Sequence, residues 1–134
     1  MDEKKLLEEA ILGREQAYTP YSKFKVGAAI LLKNGAYIRG CNVENVSYGL
    51  CNCAERTALF KMISEGYKKE DVLAMAVVAD TTLPCSPCGA CRQVMAELLD
   101  KKTPILLGNM AREYKMTTVE ELLPYSFEEI ENAD

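Results

Sequence analysis

Five of the six cysteines fall in two tight groups, Cys51-Asn52-Cys53-Ala54-Glu55-Arg56 and Cys85-Ser86-Pro87-Cys88-Gly89-Ala90-Cys91. Each group stands where a helix is expected to begin. Cys88 and Cys91 are three apart, so at a helix opening their thiols lie on one side, one turn from each other, and can grip one ion. Unpaired N–H groups and the positive end of the dipole at a helix start favour the thiolate, which is the form that binds metal. The same reasoning applies to Cys53. Soft sulfur ligands select zinc or an iron–sulfur centre over magnesium or calcium, and zinc is the preferred reading here. A structural zinc site has four protein ligands, whereas a catalytic one has three and leaves the fourth position to water, whose pKa then drops to about 7.

The ligand count therefore separates structure from catalysis. Cys51 and Cys85 are the candidates for a fourth ligand, and a structural four-cysteine zinc module without catalysis is the alternative to a site made of Cys53, Cys88 and Cys91. Cys85 lies between Pro84 and Pro87 in extended chain, off the helical turn that pairs Cys88 with Cys91, so its thiol has no imposed aim at the metal. Glu55 tips the balance towards catalysis. Two residues past Cys53, its carboxylate can stand beside a metal without binding it, ready to move protons. Arg56 can donate to the thiolates and offset the excess charge that three of them place on Zn²⁺. Taken singly, Glu55 also fits a residue that favours a helix N-terminus, and Arg56 a solvated side chain. Histidine is absent altogether, which removes the commonest general base and the commonest zinc ligand. Acid–base chemistry near neutrality falls to a carboxylate or the metal.

The elements that must position these groups are legible from periodicity. Residues 2–18 place Leu6, Leu7, Ala10, Ile11, Ala17 and Tyr18 at helical spacing, and Thr19-Pro20 ends the pattern. Val26 to Leu32 and Ala36 to Val43 are apolar runs separated by Lys33-Asn34-Gly35, so two antiparallel strands joined by a tight turn are expected. A helix opens at Cys53, carries Ala58, Leu59, Met62 and Ile63, and ends at Gly66. Val72 to Ala79 reads as a buried strand. After a loop with two prolines a further helix opens at about Cys88, with Val94, Met95, Leu98 and Leu99 on its apolar face. Pro104 to Gly108 and Tyr114 to Thr118 are expected as strands. Thr118 with Glu121, and Ser126 with Glu129, resemble capping boxes. A hairpin followed by two strand–helix crossovers implies an α/β fold, a three-layer α-β-α sandwich around a mixed sheet of about five strands. At 134 residues, 49% of them apolar, the chain is expected to form a single domain over 1–134.

The pattern Cys53-Ala54-Glu55 with Pro87-Cys88-Gly89-Ala90-Cys91 resembles the zinc deaminases with three cysteine ligands. The similarity to the cytidine deaminase family runs over nearly the whole chain. It passes through Tyr21-Ser22-Lys23-Phe24, Val26-Gly27-Ala28-Ala29, Gly40-Cys41-Asn42-Val43-Glu44-Asn45 and Cys91-Arg92-Gln93. Related deaminases of tRNA adenosine, guanine or deoxycytidylate usually carry His where this chain has Cys53. The resemblance implies one zinc per chain on Cys53, Cys88 and Cys91, with a zinc-activated water attacking C4 of cytosine. Glu55 would accept the water proton, protonate N3 and help ammonia leave, so that cytidine and deoxycytidine become uridine and deoxyuridine, a step of pyrimidine salvage.

For the substrate, the resemblance implies ribose contacts from Asn42 and Glu44, whose side chains share a strand face two residues apart. It also implies a place for Phe24 against the pyrimidine ring and for Ala54 in the substrate pocket. Two polar residues at a strand end, and a phenylalanine in the core, are the plainer readings of the same positions. The likeness is to the small homotetrameric form, and it implies that Tyr48 and Phe127 enter the pocket of a neighbouring subunit. A blasticidin-type deaminase, acting on a cytosine-bearing antibiotic, is the other enzymatic reading.

Composition narrows the partners. The net charge is −4 and the 16 basic residues are scattered, which disfavours the phosphate-neutralising surface of a polynucleotide-editing deaminase. No nucleic acid and no membrane partner is expected. No signal-like start and no apolar stretch near the ~20 residues that cross a bilayer appear, so a cytoplasmic location is expected. That compartment is reducing, which suits cysteines used as metal ligands or buried thiols. The acidic residues Glu128 to Asp134 read as a solvated end.

Overall fold

The computed structural model describes residues 1–128 and 130. Its elements in order are α1 (Glu3–Arg14), β1 (Val26–Leu32), β2 (Tyr37–Cys41), α2 (Ala54–Ser64), β3 (Val72–Ala79), α3 (Gly89–Leu98), β4 (Pro104–Asn109), β5 (Tyr114–Thr118) and α4 (Val119–Leu122). The five strands form one sheet in the order β2-β1-β3-β4-β5. β3 and β4 are parallel, and the other three neighbouring pairs are antiparallel.

Alternation along the strands sends successive residues to opposite faces, and each face is roofed by helices. On one face Leu6, Leu7, Ala10 and Ile11 of α1 pack against Ala29, Leu31, Ala76, Val78 and Leu106. On the other, Ala58, Leu59 and Met62 of α2, with Met95 and Leu99, cover Ile30, Ile38, Met75, Val77 and Ile105. This is the three-layer α-β-α arrangement around a mixed sheet. Val94 and Leu98 are partly buried, whereas Ile63 points outward.

Two expected elements are shorter than their patterns. The first helix ends at Arg14, not at residue 18, because Tyr18 is taken into a bridge with Val43: its N–H donates to the Asn42 carbonyl at 3.0 Å and its carbonyl accepts from Glu44 N–H at 2.9 Å. The second strand runs only over Tyr37–Cys41. Beyond it the Asn42 side chain engages the chain entering β1, and Val43 pairs with Tyr18 and Asn52 instead of continuing the ladder. The β1–β2 turn is closed by Gly35 N–H to the Leu32 carbonyl at 3.0 Å, with Gly35 at φ +88, so it is a three-residue turn with glycine in the left-handed position. Thr118 Oγ1 accepts from Glu121 N–H at 3.3 Å at the start of α4. The expected pairing of Ser126 with Glu129 lies outside the described residues.

The topology decides where the helices begin. β2 and β3 both run antiparallel to β1, so they are parallel to each other, and the helices that follow them start at the same end of the sheet. Gly40 lets α2 sit down on β2 there. A Cβ at this position would lie 2.5 Å from the Ala54 carbonyl oxygen and 2.6 Å from Ala58 N.

Candidate active site

Both helix openings carry the cysteines. Cys53 is the N-cap of α2 and Cys88 the N-cap of α3, each in extended conformation. Neither position has an ordinary oxygen cap. Cys88 Sγ accepts from Cys91 N–H at 3.4 Å and lies 3.3 Å from Cys91 Sγ. The sulfurs of Cys53, Cys88 and Cys91 all lie within 4.8 Å of one another. Three thiolates about 2.3 Å from a tetrahedral zinc stand roughly 3.8 Å apart, so the cluster fits such an ion with only small movement. The donors are all soft, as zinc at a sulfur site prefers.

The cluster's charge is managed from α2. Arg56 Nη2 donates to Cys53 Sγ at 3.3 Å, while its Nε is buried without a partner. A hydrogen bond from Cys91 draws the Cys53 thiol down to about 5, and Arg56 adds to this by hydrogen bond and charge, against the opposing effect of burial. Cys91 is correspondingly pushed up by its bond to Cys53 and by burial. Glu55 is 4% exposed. Burial raises its carboxyl above the usual range, and the neighbouring Cys53 charge raises it further.

Neither of the other two cysteines near the cluster joins it. Cys85 Sγ donates to the Val77 carbonyl at 3.4 Å, and burial pushes its thiol up to about 11. Cys51 Sγ instead faces the main chain of Asn45, at 3.3 Å from its N and 3.6 Å from its O. The arrangement is thus three sulfurs with a buried carboxyl beside them.

Phe24, Asn42, Cys53, Ala54, Glu55, Cys85 and Cys88 line a cavity of about 330 Å³. An outer cavity of about 730 Å³ adjoins it through Asn42 and Cys53 and is walled by Ser22, Glu44, Tyr48 and Arg56. A wider groove of about 780 Å³ between the start of α1 and Tyr114 has no cysteine in its walls, whereas the paired cavities reach the sulfur cluster. Phe24 is 46% exposed, so core packing does not account for it. Asn42 accepts from Val26 N–H at 2.8 Å and donates to the Phe24 carbonyl at 2.9 Å, which fixes the segment carrying Phe24. Glu44 accepts from the N–H groups of Tyr21 and Ser22, each at 3.1 Å, and from the Ser22 hydroxyl, and these bonds hold its carboxyl below the ordinary range.

The two aromatic residues expected at a neighbouring subunit's pocket stand apart from these. Tyr48 is 89% exposed at the mouth of the outer cavity. Phe127 is 66% exposed and lines neither cavity, and its carbonyl accepts from Gln93 Nε2 at 2.8 Å. Periodicity and spacing did not point to Ser22 as the residue that orients Glu44, or to Arg92 and Asn109 as anchors of the loop that carries Cys88. None of the three has a local pattern that would have marked it, since each bonds a segment distant in sequence or in an irregular loop.

Known proteins resemble this chain in sequence and fold. The family description "Cytidine and deoxycytidylate deaminase zinc-binding region" matches residues 1–107, which include all three clustered cysteines. A cytidine deaminase of Halalkalibacterium halodurans is 61% identical over 127 residues, 95% of this chain and 95% of that protein. One from Sporosarcina psychrophila is 53% identical over 127 residues, 95% of this chain and 92% of that one. The crystal structure of cytidine deaminase from Burkholderia pseudomallei superposes with a TM-score of 0.92 at 51% identity, covering 95% of this chain and 100% of that one. With a three-sulfur cluster able to hold a metal ion inside the matched region, the chain belongs to the cytidine and deoxycytidylate deaminase family, whose zinc-binding region it carries.

Proposed function

We propose that the protein hydrolyses cytidine and deoxycytidine to uridine and deoxyuridine, releasing ammonia, with zinc on Cys53, Cys88 and Cys91 and Glu55 as the proton carrier. The observation that carries this reading is a buried carboxyl beside a three-sulfur cluster, both opening on one cavity. When bound, zinc supplies Lewis acidity that makes a water acidic enough to ionise near neutrality. Glu55 takes a proton from the attacking water, delivers it to N3, and assists proton transfer to the amino group as the C4–N bond breaks. A carboxyl whose pKa is raised by burial suits that double task, because it accepts and keeps a proton more readily than an exposed carboxylate does. Arg56 offsets the negative charge of the thiolates.

Phe24 is the ring's apolar wall and Ala54 a close backbone neighbour, both being in the inner cavity. Asn42 and Glu44 receive the ribose hydroxyls. Asn42 keeps lone-pair capacity beyond its two loop bonds, and the Glu44 carboxylate is held ionised and oriented by Ser22. A nucleoside fits better than a nucleotide, because the ionised Glu44 carboxylate would repel a phosphate.

The same reading includes a homotetramer in which Tyr48 and Phe127 complete neighbouring sites. Exposed Val46, Tyr48, Leu50, Phe60 and Ile63 supply apolar surface for such contacts. A cytoplasmic role in pyrimidine salvage is in keeping with free cysteines throughout the described residues and with no helix there long and apolar enough to cross a membrane.

The test follows the ultraviolet absorbance of cytidine with wild-type protein and Glu55→Gln, with zinc per chain measured on the same samples. Conversion by wild type and none by the zinc-loaded variant supports the proposal. Full zinc without conversion by either protein refutes cytidine as substrate and directs the search to other cytosine compounds, including blasticidin-type antibiotics.

A further inference from the structure

Cys88 reaches the sulfur cluster from the segment 80–88, which has no regular structure of its own. Its sulfur can serve a metal only if that loop is held still. The first half of the loop hangs on β4: Asn109 Nδ2 donates to the Thr82 carbonyl at 3.2 Å, and Cys85 N–H donates to the Gly108 carbonyl at 3.3 Å. The second half, next to the ligand, is held by one guanidinium. Arg92 Nε donates to the Pro87 carbonyl at 3.0 Å and Nη2 to Ser86 Oγ at 2.7 Å. The third arm, Nη1, donates to the Leu122 carbonyl at 2.8 Å, at the end of α4.

This is a junction of three segments on one rigid fork. The guanidinium group is planar with donors in fixed directions, so the three acceptors are held relative to one another as well as to α3. The Leu122 carbonyl is one of those a helix end leaves without an intrahelical partner, and Arg92 satisfies it. Gln93 makes a second tie to the C-terminal segment, to the Phe127 carbonyl at 2.8 Å, but does not touch the loop.

We infer that Arg92 is a positioning residue that fixes Cys88 for the metal and couples docking of α4 to retention of that metal. The inference rests on the reading of Cys88 as a zinc ligand. Because the coupling is a shared free energy, whatever frees α4 weakens zinc retention, and loss of zinc loosens α4 by the same factor. Residues that support metal ligands typically change affinity by about 10–100-fold when replaced, and that is the size expected here.

The experiment loads full-length wild type, Arg92→Gln, Arg92→Lys and Gln93→Ala with zinc and follows its release to a chromogenic chelator. Hydrogen exchange at the Leu123 amide, which bonds the Val119 carbonyl within α4, is read on the same samples. In Arg92→Gln, release is expected about 10-fold faster or more, with Leu123 exchange accelerated in parallel. Arg92→Lys, which can serve only part of the fork, recovers only part of the loss. Gln93→Ala releases zinc at the wild-type rate. Wild-type release from Arg92→Gln overturns the positioning role, and faster release with unchanged Leu123 exchange overturns the coupling. If Arg92→Gln does not fold, Ser86→Ala removes only the loop's hydroxyl partner: faster release supports the inference and an unchanged rate overturns it. Should wild type take up no zinc, the ligand assignment itself has failed, and that is visible before any variant is compared.

Discussion

Replacing Gly40 by alanine tests whether the seat of α2 on β2 sets the active site. The added Cβ would stand 2.5 Å from the Ala54 carbonyl oxygen, 2.6 Å from Ala58 N and 2.8 Å from Ala58 Cβ. Two of these atoms are backbone and cannot rotate away, so the first turns of α2 must lift as a unit. Restoring an ordinary contact of 3.4 Å at Ala54 O requires a retreat of about 0.9 Å. That turn begins at Cys53 and carries Glu55, so the shift moves one sulfur and the proposed proton carrier away from Cys88 and Cys91, which stand on another helix. Overpacking of this kind costs about 1–3 kcal/mol, and near this chain length each kcal/mol lowers the melting temperature by about 4 °C. A displacement near 1 Å at reacting groups costs about 100-fold in rate. Gly40→Ala is therefore expected to melt about 4–12 °C lower and to lose about 100-fold in kcat/KM for cytidine, about 2.7 kcal/mol of barrier and so comparable to the cost in folding. The assay is cytidine absorbance with melting followed on the same protein. Activity within a factor of about two of wild type, in a folded variant, would show that α2 moves without disturbing the site and would refute the reasoning.

Glu55→Gln is expected to keep zinc but lose turnover by at least about 100-fold, the contribution of a positioned proton carrier; appreciable residual turnover at full zinc would assign that task elsewhere. Cys85→Ser should change neither zinc content nor turnover, because the thiol faces the Val77 carbonyl, and zinc loss measured in this variant would refute the three-sulfur site. Stability of the metal-free protein should depend on Glu55 with a definite sign. The folded-state pKa is raised by burial, so the native state holds the proton longer than the unfolded chain, and stability falls as pH rises through the carboxylate range. Melting curves of chelator-treated wild type and Glu55→Gln from about pH 4 to about pH 8 should show the variant gaining relative stability as pH rises. A constant difference across that range would contradict it.

Local pattern carried much of the site. The three-residue spacing of Cys88 and Cys91 placed both sulfurs on one turn, and the helix starts at Cys53 and Cys88 followed from apolar periodicity and the loops before them. β1 and β3 have the bounds their apolar runs imply, and β5 the bounds expected for it. These are short-range properties, decided by which neighbours lie three or four residues apart in a helix or two apart in a strand. Where the patterns misled, a tertiary partner had taken the residue: Tyr18 is helical in spacing but bridges Val43, and Phe24 is apolar but stands in a cavity, held there by Asn42.

The amino-acid sequence by itself determined the donor atoms, the pairing of Cys88 with Cys91, and the absence of any histidine to share the chemistry. Only the tertiary structure decided that Cys53 meets them, that Cys51 and Cys85 turn away, and that one guanidinium ties the metal loop to α4. The reason is that spacing specifies the face of an element, whereas the meeting of two elements depends on strand order and direction. Here β1 lies between β2 and β3 and opposes both, so the helices that follow them start at one end of the sheet, and burial of one apolar face lays α2 and α3 together there.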